Sequence, residues 1–183
     1  MKKILLGVTG SVAAKLTPKL VSMLLESGYE VKIAATQASL HFWKQESVSV
    51  PVYLDADEWP EEGYADGKPI MHIELREWAD MFLIAPVTAN TLAKMAHGIS
   101  DNLLTSVVRA WNLEKPILIA PAMNTQMWEN PLTGKHIDVI AETYDMTLVH
   151  PVEKLLACGK YGMGAIADLS TIRETVRERF LNQ

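Results

Sequence analysis

Short polar residues follow the apolar runs of this sequence. They form the strings TGSVA (9–13), TQAS (36–39), PVTANT (86–91) and PAMN (121–124). Hydroxyl and amide side chains of this size leave space for a large planar ligand, and they can donate hydrogen bonds to a phosphate at a helix start. The pattern therefore predicts a site for a nucleotide-like cofactor.

The first of these strings lacks the two common phosphate-binding motifs. The segment GVTGSVA (7–13) matches neither GxGxxG nor GxxxxGK. This argues against an ordinary NAD fingerprint and against a P-loop nucleotide hydrolase. A Gly-Ser turn after a first strand also fits an ordinary tight turn equally well, so this segment alone does not identify the ligand.

The segment PAMNTQMW (121–128) places an amide, two thioethers and an indole directly behind an apolar run. An ordinary turn would carry Gly, Asp or Ser there. By default, Asn124 is a helix cap, and Met123 and Met127 belong to the core. A cap can also bind a ligand, so both readings of Asn124 stay open.

Histidine and cysteine give no site by spacing alone. None of the five histidines belongs to an HxxH or HxxxH pair, and a lone histidine such as His72 is usually a hydrogen-bonded or surface residue. The single cysteine, Cys158, excludes an internal disulfide and would by default be a small buried residue. Its setting beside Gly159, with Gly162 and Gly164 following, instead predicts a flexible loop. No metal site is predicted. No role is predicted for His41, His97, His136 or His150.

Composition restricts the function classes. The chain has 183 residues, 49% of them hydrophobic, and a net charge of −5, which offers no basic field for nucleic acid. No stretch approaches the roughly 20 apolar residues of a membrane span. The opening MKKILLGV imitates a signal peptide, but its apolar run is shorter than the roughly 7 residues required, so it is predicted to be the first strand. We therefore predict no nucleic-acid or membrane partner. The single cysteine is compatible with a reducing compartment, so the cytoplasm is the default prediction for localisation.

Five apolar runs mostly lack the alternation of a half-exposed strand, which indicates strands covered on both faces of a parallel sheet. They are predicted at 3–9, 31–36, 81–86, 116–121 and 146–151. Helical patterns lie between them, so the chain is predicted to be a single doubly wound (Rossmann/flavodoxin-like) α/β domain over 1–183. In such a domain, ligands bind at the carboxyl ends of the strands, which is where the short polar residues lie.

Three helices can be placed from their apolar stripes. The first contains Val12, Leu16, Leu20 and Leu24, ends at Gly28, and must bend or restart at Pro18. The second contains Leu104, Val107, Val108 and Trp111 and has Ser100 or Asp101 as its capping candidate. The last covers 169–180. The acidic, turn-rich segment 55–70 is predicted to be a surface loop.

The chain resembles the homo-oligomeric flavin-containing cysteine decarboxylases. The resemblance rests on GSVA (10–13), SLHF (39–42), HIELREWAD (72–80), APVTANTLAK (85–94), DNLL (101–104), APAMNTQMW (120–128) and LACGKYGMGA (156–165). These segments span nearly the whole chain in the family's order. The resemblance implies an FMN cofactor, a trimer or a multiple of trimers with the flavin between subunits, and decarboxylation of 4′-phosphopantothenoylcysteine to 4′-phosphopantetheine in coenzyme A biosynthesis.

The resemblance also implies individual roles. His72 would be the catalytic base and Cys158 the proton donor, while Asn124, Met123 and Ala157 would contact the substrate. The flavin would be held by Gly10, Ser11, Val12, Thr36, Phe42, Thr88, Ala89, Asn90, Thr91 and Ala122.

The chemistry of such a reaction explains these residue types. A cysteine amide cannot simply lose CO₂, because the carbanion left at Cα has no electron sink. Oxidation of CH₂–SH to a thioaldehyde supplies that sink, with an oxidised flavin taking the hydride and a base taking the thiol proton. His72 suits the base, since a free imidazole titrates near ~6.5. Loss of CO₂ leaves an enethiolate, to whose carbon Cys158 would give a proton while the hydride returns.

Asn124, Met123, Met127 and Trp128 can be interpreted on the same basis. The Asn124 amide can donate to the substrate carboxylate without adding a positive charge that would stabilise the ground state and hinder CO₂ departure. The other three side chains would be apolar walls that keep the site dry.

One departure from the family pattern concerns substrate binding. A basic residue often precedes the Leu-Ala-Cys-Gly run, where this chain has Leu155. That contact is therefore either missing or supplied by Lys154. Three alternatives remain at this point. They are a peptidyl-cysteine decarboxylase of lantibiotic maturation, which stops at the enethiol, a non-catalytic flavin-binding regulatory subunit, and a flavin prenyltransferase. The Cys158 loop argues against the first, the compact chain against the second and the PAMN segment against the third.

Overall fold

Six parallel strands form the central sheet of the protein, seen in a computed structural model that describes residues 1–61, 63 and 66–182. The order across the sheet is β3-β2-β1-β4-β5-β6. From β1 the strand order runs to one edge of the sheet through β2 and β3, and from β4 it runs to the opposite edge. The boundary between β1 and β4 is therefore the switch point of a doubly wound fold. The strands are β1 (Lys3–Val8), β2 (Glu30–Ala35), β3 (Val52–Tyr53), β4 (Met81–Val87), β5 (Ile117–Pro121) and β6 (Met146–Leu148).

Helices cover both faces of this sheet, as the continuous apolar runs predict. They are α1 (Thr17–Glu26), α2 (Asp55–Glu58), α3 (Met71–Trp78), α4 (Ala89–His97), α5 (Leu103–Arg109), α6 (Thr125–Trp128), α7 (Pro131–Thr143) and α8 (Leu169–Leu181). Ile4 and Leu6 of β1 pack in one core with α1 and α8, while Leu5 between them packs in the other core with α3, α4, α5 and α7. The doubly wound prediction is confirmed.

The predicted first helix is divided in two. A 3₁₀ turn, Val12–Leu16, precedes α1, and Pro18 lies in the first turn of α1. Proline is tolerated there because the amide of that turn has no intrahelical partner. The predicted restart at Pro18 is confirmed, but Val12 is exposed and does not belong to the buried stripe.

The predicted cap of α5 was wrong. Asn102, rather than Ser100 or Asp101, is the N-cap, and its Oδ1 accepts a hydrogen bond from the Thr105 amide at 2.9 Å. The hydroxyl of Thr105 contacts the amide of Asn102 in return. The three candidates are consecutive polar residues of similar capping preference, and only the backbone direction selects among them.

Two further segments differ from the prediction. The fifth predicted strand, 146–151, is shorter than predicted, because only its first three residues form β6. The chain then continues into an antiparallel hairpin of β7 (Val152–Leu155) and β8 (Tyr161–Ala165), which lies outside the main sheet. The predicted surface loop 55–70 begins with α2. The side chains of Asp55 and Glu58 in this segment accept hydrogen bonds from α5 and α3, respectively. Within that loop, residues 62, 64 and 65 lie outside the described residues.

Candidate functional site

A cleft of about 550 Å³ opens at the carboxyl ends of β1, β2, β4 and β5. This is the position that the doubly wound topology predicts for a ligand. The lining residues come from the strand ends and the helix starts that follow them. They are Gly10, Ser11, Thr36, Gln37, Ala38, Asp55, Thr88, Ala89, Asn90, Thr91, Lys94, Asp101, Asn102, Ala122, Met123 and Met127.

Gly10 forms the part of the cleft that follows β1. A Cβ on this residue would lie 2.8 Å from the Cβ of Ala38, so a larger residue would push away the segment after β2. Ser11 caps the adjoining 3₁₀ turn, and its Oγ accepts from the Ala13 amide at 3.3 Å. Glycine at position 10 therefore lets two strand ends approach each other closely beside a helical start.

Thr9 fixes the spacing between the ends of β1 and β4. Its buried hydroxyl donates to the Pro86 carbonyl at 2.8 Å and accepts from the Thr88 amide at 3.0 Å. Thr88 then caps α4, because its Oγ1 accepts from the Thr91 amide at 3.2 Å. A nine-residue helix thus starts at the cleft with its side-chain cap already in place.

Charged residues line another part of the cleft. Lys94 Nζ lies 2.7 Å from both carboxylate oxygens of Asp101, and this hydrogen bond lowers the pKa of Asp101. Asp55 Oδ1 accepts from the Leu103 amide at 2.8 Å, which attaches α2 to α5. Sequence reasoning missed Gln37, Ala38, Asp55, Lys94, Asp101 and Asn102 as lining residues. Five of these six lie in the quoted segments TQAS, APVTANTLAK and DNLL, which were the available signal.

The Asn124 amide and the Cys158 thiol lie close together. Asn124 Nδ2 is 3.4 Å from Cys158 Sγ, although the two residues are 34 positions apart in the sequence. Asn124 Oδ1 meanwhile accepts from the Gln126 amide at 2.9 Å and caps α6. The cap therefore occupies one end of the amide and leaves the other end facing the thiol.

Two glycines of β8 allow this approach. A Cβ on Gly164 would lie 2.4 Å from the carbonyl oxygen of Met123, and a Cβ on Gly162 would lie 2.4 Å from Thr125 Oγ1. The Met123 amide also donates to the Gly164 carbonyl at 2.9 Å. The hairpin thus packs with its backbone directly against the turn that carries Asn124. Cys158 lies in the hairpin's turn and is exposed. The segment that was predicted to be a flexible loop is a hydrogen-bonded hairpin.

His72 lies in the first turn of α3, outside the lining of the cleft. Its Nδ1 contacts Glu58 Oε1, and its backbone amide donates to Glu58 Oε2 at 2.8 Å. The His72 side chain is 26% exposed and that of Glu58 only 6%. Sequence reasoning missed Glu58, which falls in the acidic segment predicted to be a surface loop.

Most of the other predicted site residues line the cleft. Gly10, Ser11, Thr36, Thr88, Ala89, Asn90, Thr91, Ala122 and Met123 all do so. Val12 and Phe42 lie outside the lining, with 39% and 36% of their surface exposed. Ala157 is exposed at the hairpin turn beside Cys158.

The structure also shows where Met127 and Trp128, predicted to be apolar walls, and Leu155, the departure from the family pattern, are located. Met127 lines the cleft, while Trp128 is half-buried at the end of α6. Leu155 is 71% exposed on the hairpin. Lys154 Nζ lies 2.5 Å from Asp168 Oδ1, so its ammonium group already has an acidic partner.

Two kinds of feature are absent from the part of the chain that the structure describes. No three His, Cys, Asp or Glu side chains group in a way that could hold a metal ion. Among the helices of the same described residues, none is both long and apolar enough to cross a membrane.

Comparisons with known proteins agree with this architecture. A model of the Flavoprotein family matches residues 1–181. Phosphopantothenoylcysteine decarboxylase of Mus musculus is 49% identical over 171 residues, which are 93% of this chain and 83% of the mouse protein. A solved PPC decarboxylase, a cysteine-to-serine mutant complexed with pantothenoylaminoethenethiol, is 46% identical with a TM-score of 0.93 over 98% of each chain. The FMN binding protein AtHal3 is also 46% identical, with a TM-score of 0.90 over 100% of this chain and 98% of its own.

Proposed function

Because the chain belongs to the Flavoprotein family, we propose that it is an FMN-dependent decarboxylase that converts 4′-phosphopantothenoylcysteine to 4′-phosphopantetheine in coenzyme A biosynthesis. The observation that carries the proposal is the 3.4 Å contact between Asn124 Nδ2 and Cys158 Sγ, which lies outside the lining of the cleft, although Asn124 directly follows Met123, a residue of that lining. In the proposed reaction, this contact would place a neutral hydrogen-bond donor for the substrate carboxylate beside the thiol that supplies the proton. The names of the mouse relative and of the solved PPC decarboxylase support this substrate.

The cleft fits FMN in size and in the chemistry of its lining. Its volume of about 550 Å³ lies within the range of cofactor sites. Gly10 and Ser11 would hold the phosphate at a helical start, and Thr88 and the start of α4 would contact the ribityl chain and ring. The proposed set of FMN contacts also includes five further lining residues, Thr36, Ala89, Asn90, Thr91 and Ala122. Val12 and Phe42 remain in the proposed set, although they do not line the cleft. FMN, when bound, would accept a hydride from the substrate and return it.

Asn124 would bind the substrate carboxylate. Its rotamer is already fixed by the cap on α6, so the Nδ2 donor needs little reorganisation before it meets a ligand. An amide donor holds the carboxylate without a full positive charge, and the carboxylate is therefore stabilised less before CO₂ departs. Met123 would contact the same substrate from the cleft wall, and Ala157 from the hairpin turn.

Cys158 would protonate carbon after CO₂ has left. The thiol is exposed on the hairpin turn, where it can approach a substrate that Asn124 holds. A thiol is a suitable acid for this step, because its free pKa of about 8.5 is far below that of a hydroxyl.

His72 would take the substrate thiol proton. It lies outside the lining of the cleft of its own chain, and the resemblance to the flavin-containing cysteine decarboxylases implies a flavin placed between subunits. We therefore include a trimer, or a multiple of one, in the proposal. The proposal also includes cytoplasmic localisation and one catalytic domain over the whole chain. Sedimentation should give a mass of three chains or a multiple of three, and a monomer that binds FMN tightly would contradict the assembly.

Product mass tests the proposed reaction directly. The purified protein should be yellow and should convert phosphopantothenoylcysteine to a product lighter by CO₂ alone. A product lighter by two further hydrogens would indicate an enethiol-forming enzyme, and a peptidyl cysteine should be assayed beside the first substrate. If neither substrate reacts, a flavin-binding regulatory role is favoured and the proposal is wrong.

Cys158→Ser separates the two halves of the cycle. Oxidation and CO₂ loss should continue, since they depend on His72, Asn124 and the cofactor. Reduction of the enethiolate should stall, because serine is a far weaker acid than cysteine. The variant should release an enethiol, detected by mass spectrometry, and wild-type production of the saturated thiol would show that Cys158 is not the acid.

A further inference from the structure

The Glu58 carboxylate uses both of its oxygens on one residue. Oε2 accepts from the His72 backbone amide at 2.8 Å, and Oε1 contacts the His72 ring at Nδ1. Only 6% of the Glu58 side chain is exposed, so water competes little for these oxygens. His72 lies 14 positions after Glu58 in the sequence, and the fold creates the pairing.

This geometry assigns the ring protons of His72. An ionised carboxylate can only accept hydrogen bonds, so Nδ1 must carry a hydrogen where it meets Oε1. In the neutral ring, the remaining nitrogen, Nε2, then has a free lone pair. The His72 side chain is 26% exposed, which leaves part of it accessible to a second molecule.

We propose that Glu58 is a positioning residue that holds His72 in the Nδ1–H tautomer and directs Nε2 toward the substrate thiol. The proposal rests on the proposed function, in which His72 is the base. In that step the substrate S–H bond breaks, an Nε2–H bond forms, and the electron pair of the broken bond stays on sulfur. Glu58 stays ionised and faces the imidazolium that results, as the carboxylate does in a Ser-His-Asp triad.

Helix capping alone does not account for this pairing. The N-cap of α3 is Ile70, whose side chain cannot accept a hydrogen bond, so an outside acceptor for the His72 amide is useful. One oxygen is enough for that purpose. The second oxygen meets the imidazole ring, and this contact is the one that fixes a tautomer.

Glu58→Gln tests the proposal with little change of shape. Its carbonyl oxygen can still cap α3, but its NH₂ group then faces Nδ1, which must become the acceptor, so Nε2 gains the hydrogen. Asp57→Asn is the matched control. It lies on the same short helix, where Asp57 Oδ2 accepts from the Leu54 amide at 2.7 Å without contacting His72.

Nitrogen-15 NMR of the flavin-loaded protein, at a pH where His72 is neutral, reports the tautomer without any turnover. The His72 signals can be assigned by their loss in His72→Asn. Wild type and Asp57→Asn should show a protonated Nδ1 and an unprotonated Nε2, and Glu58→Gln should show the reverse. A wild-type ring protonated on Nε2 would overturn the proposal, whatever the substrate is.

Kinetics give the second readout. We expect Glu58→Gln to keep its flavin absorbance and its KM, because Glu58 lies outside the cleft, while kcat falls by at least about tenfold and at most about 10⁴-fold, the share of a general base. Asp57→Asn should keep the wild-type kcat. An unchanged kcat in Glu58→Gln would also overturn the proposal. If wild type decarboxylates neither substrate, the proposed function fails, and the NMR result still decides the tautomer.

Discussion

Replacing Gly164 by alanine should separate the hairpin from the turn that carries Asn124. Gly164 has φ +126°, a conformation that L side chains rarely adopt. The new Cβ would also lie 2.4 Å from the carbonyl oxygen of Met123. This neighbour is backbone, and it cannot rotate away as a flexible side chain would.

The free-energy cost of Gly164→Ala follows from the backbone conformation of residue 164 and from the clash of the new Cβ with Met123. A non-glycine residue in such a backbone region costs about 1–3 kcal/mol. If the hairpin moves away to relieve the clash, the 2.9 Å hydrogen bond from the Met123 amide to the Gly164 carbonyl is lost, at roughly 0.5–1.5 kcal/mol. The sum of about 1.5–4.5 kcal/mol corresponds to roughly a 10- to 10³-fold smaller equilibrium constant for docking.

Thermal unfolding and limited trypsin digestion measure this cost. The Tm should fall by at least about 3 °C, and cleavage after Lys154 and Lys160, which are exposed on the hairpin, should be faster. Gly134→Ala is the control, since Gly134 lies inside α7 with no atom within 4 Å of an added Cβ. Alanine should stabilise that helix by roughly 0.5–1 kcal/mol. Wild-type Tm and digestion rates in Gly164→Ala would refute the reasoning.

Three other perturbations test separate parts of the site. His72→Asn should keep its flavin absorbance but fail to bleach it on substrate addition, and normal turnover would make His72 structural. Thr9→Val should lower the free energy of unfolding in urea by about 1–3 kcal/mol, because the partly buried Thr88 amide loses its acceptor. Thr143→Val, at an exposed position, should change it by less than about 0.5 kcal/mol. Lys94 lowers the pKa of Asp101, so the pair stabilises the fold fully above about pH 4 and the contribution is lost as pH falls through the lowered pKa. Lys94→Met should therefore cost less than about 1 kcal/mol at neutral pH, and the difference in Tm from wild type should vanish in strong acid.

The central sheet could be predicted because its strands are buried on both faces. Ile4, Leu5 and Leu6 are all fully buried, so the sequence of β1 is continuously apolar from Ile4 onward and does not alternate with polar residues. The edge strand β3 escaped prediction, since its two residues, Val52 and Tyr53, are only half-buried. The hairpin escaped because its position depends on a docking contact of Gly164, which no local pattern encodes.

The cleft could be predicted in outline for a topological reason. Parallel strands end at one edge of a sheet, so short polar residues after consecutive strands must meet there. Asp55 and Glu58 could not be found in this way. They lie in an acidic segment that looks fully solvated, and their partners are Leu103 and His72, 48 and 14 residues further along the chain. Carboxylates acquire a specific role only when the fold supplies a donor and removes water.

Asn124 shows why a local prediction and a functional one need not compete. Its Oδ1 accepts from the Gln126 amide two residues ahead, a contact that the sequence around a helix start predicts. That bond fixes the plane of the side-chain amide, and the Nδ2 donor must then point to the other side. The hairpin, allowed to approach by Gly162 and Gly164, places the Cys158 thiol on that side. The cap is therefore the means by which the chain directs a neutral donor, and a residue with only an acceptor, such as aspartate, could cap α6 without supplying it.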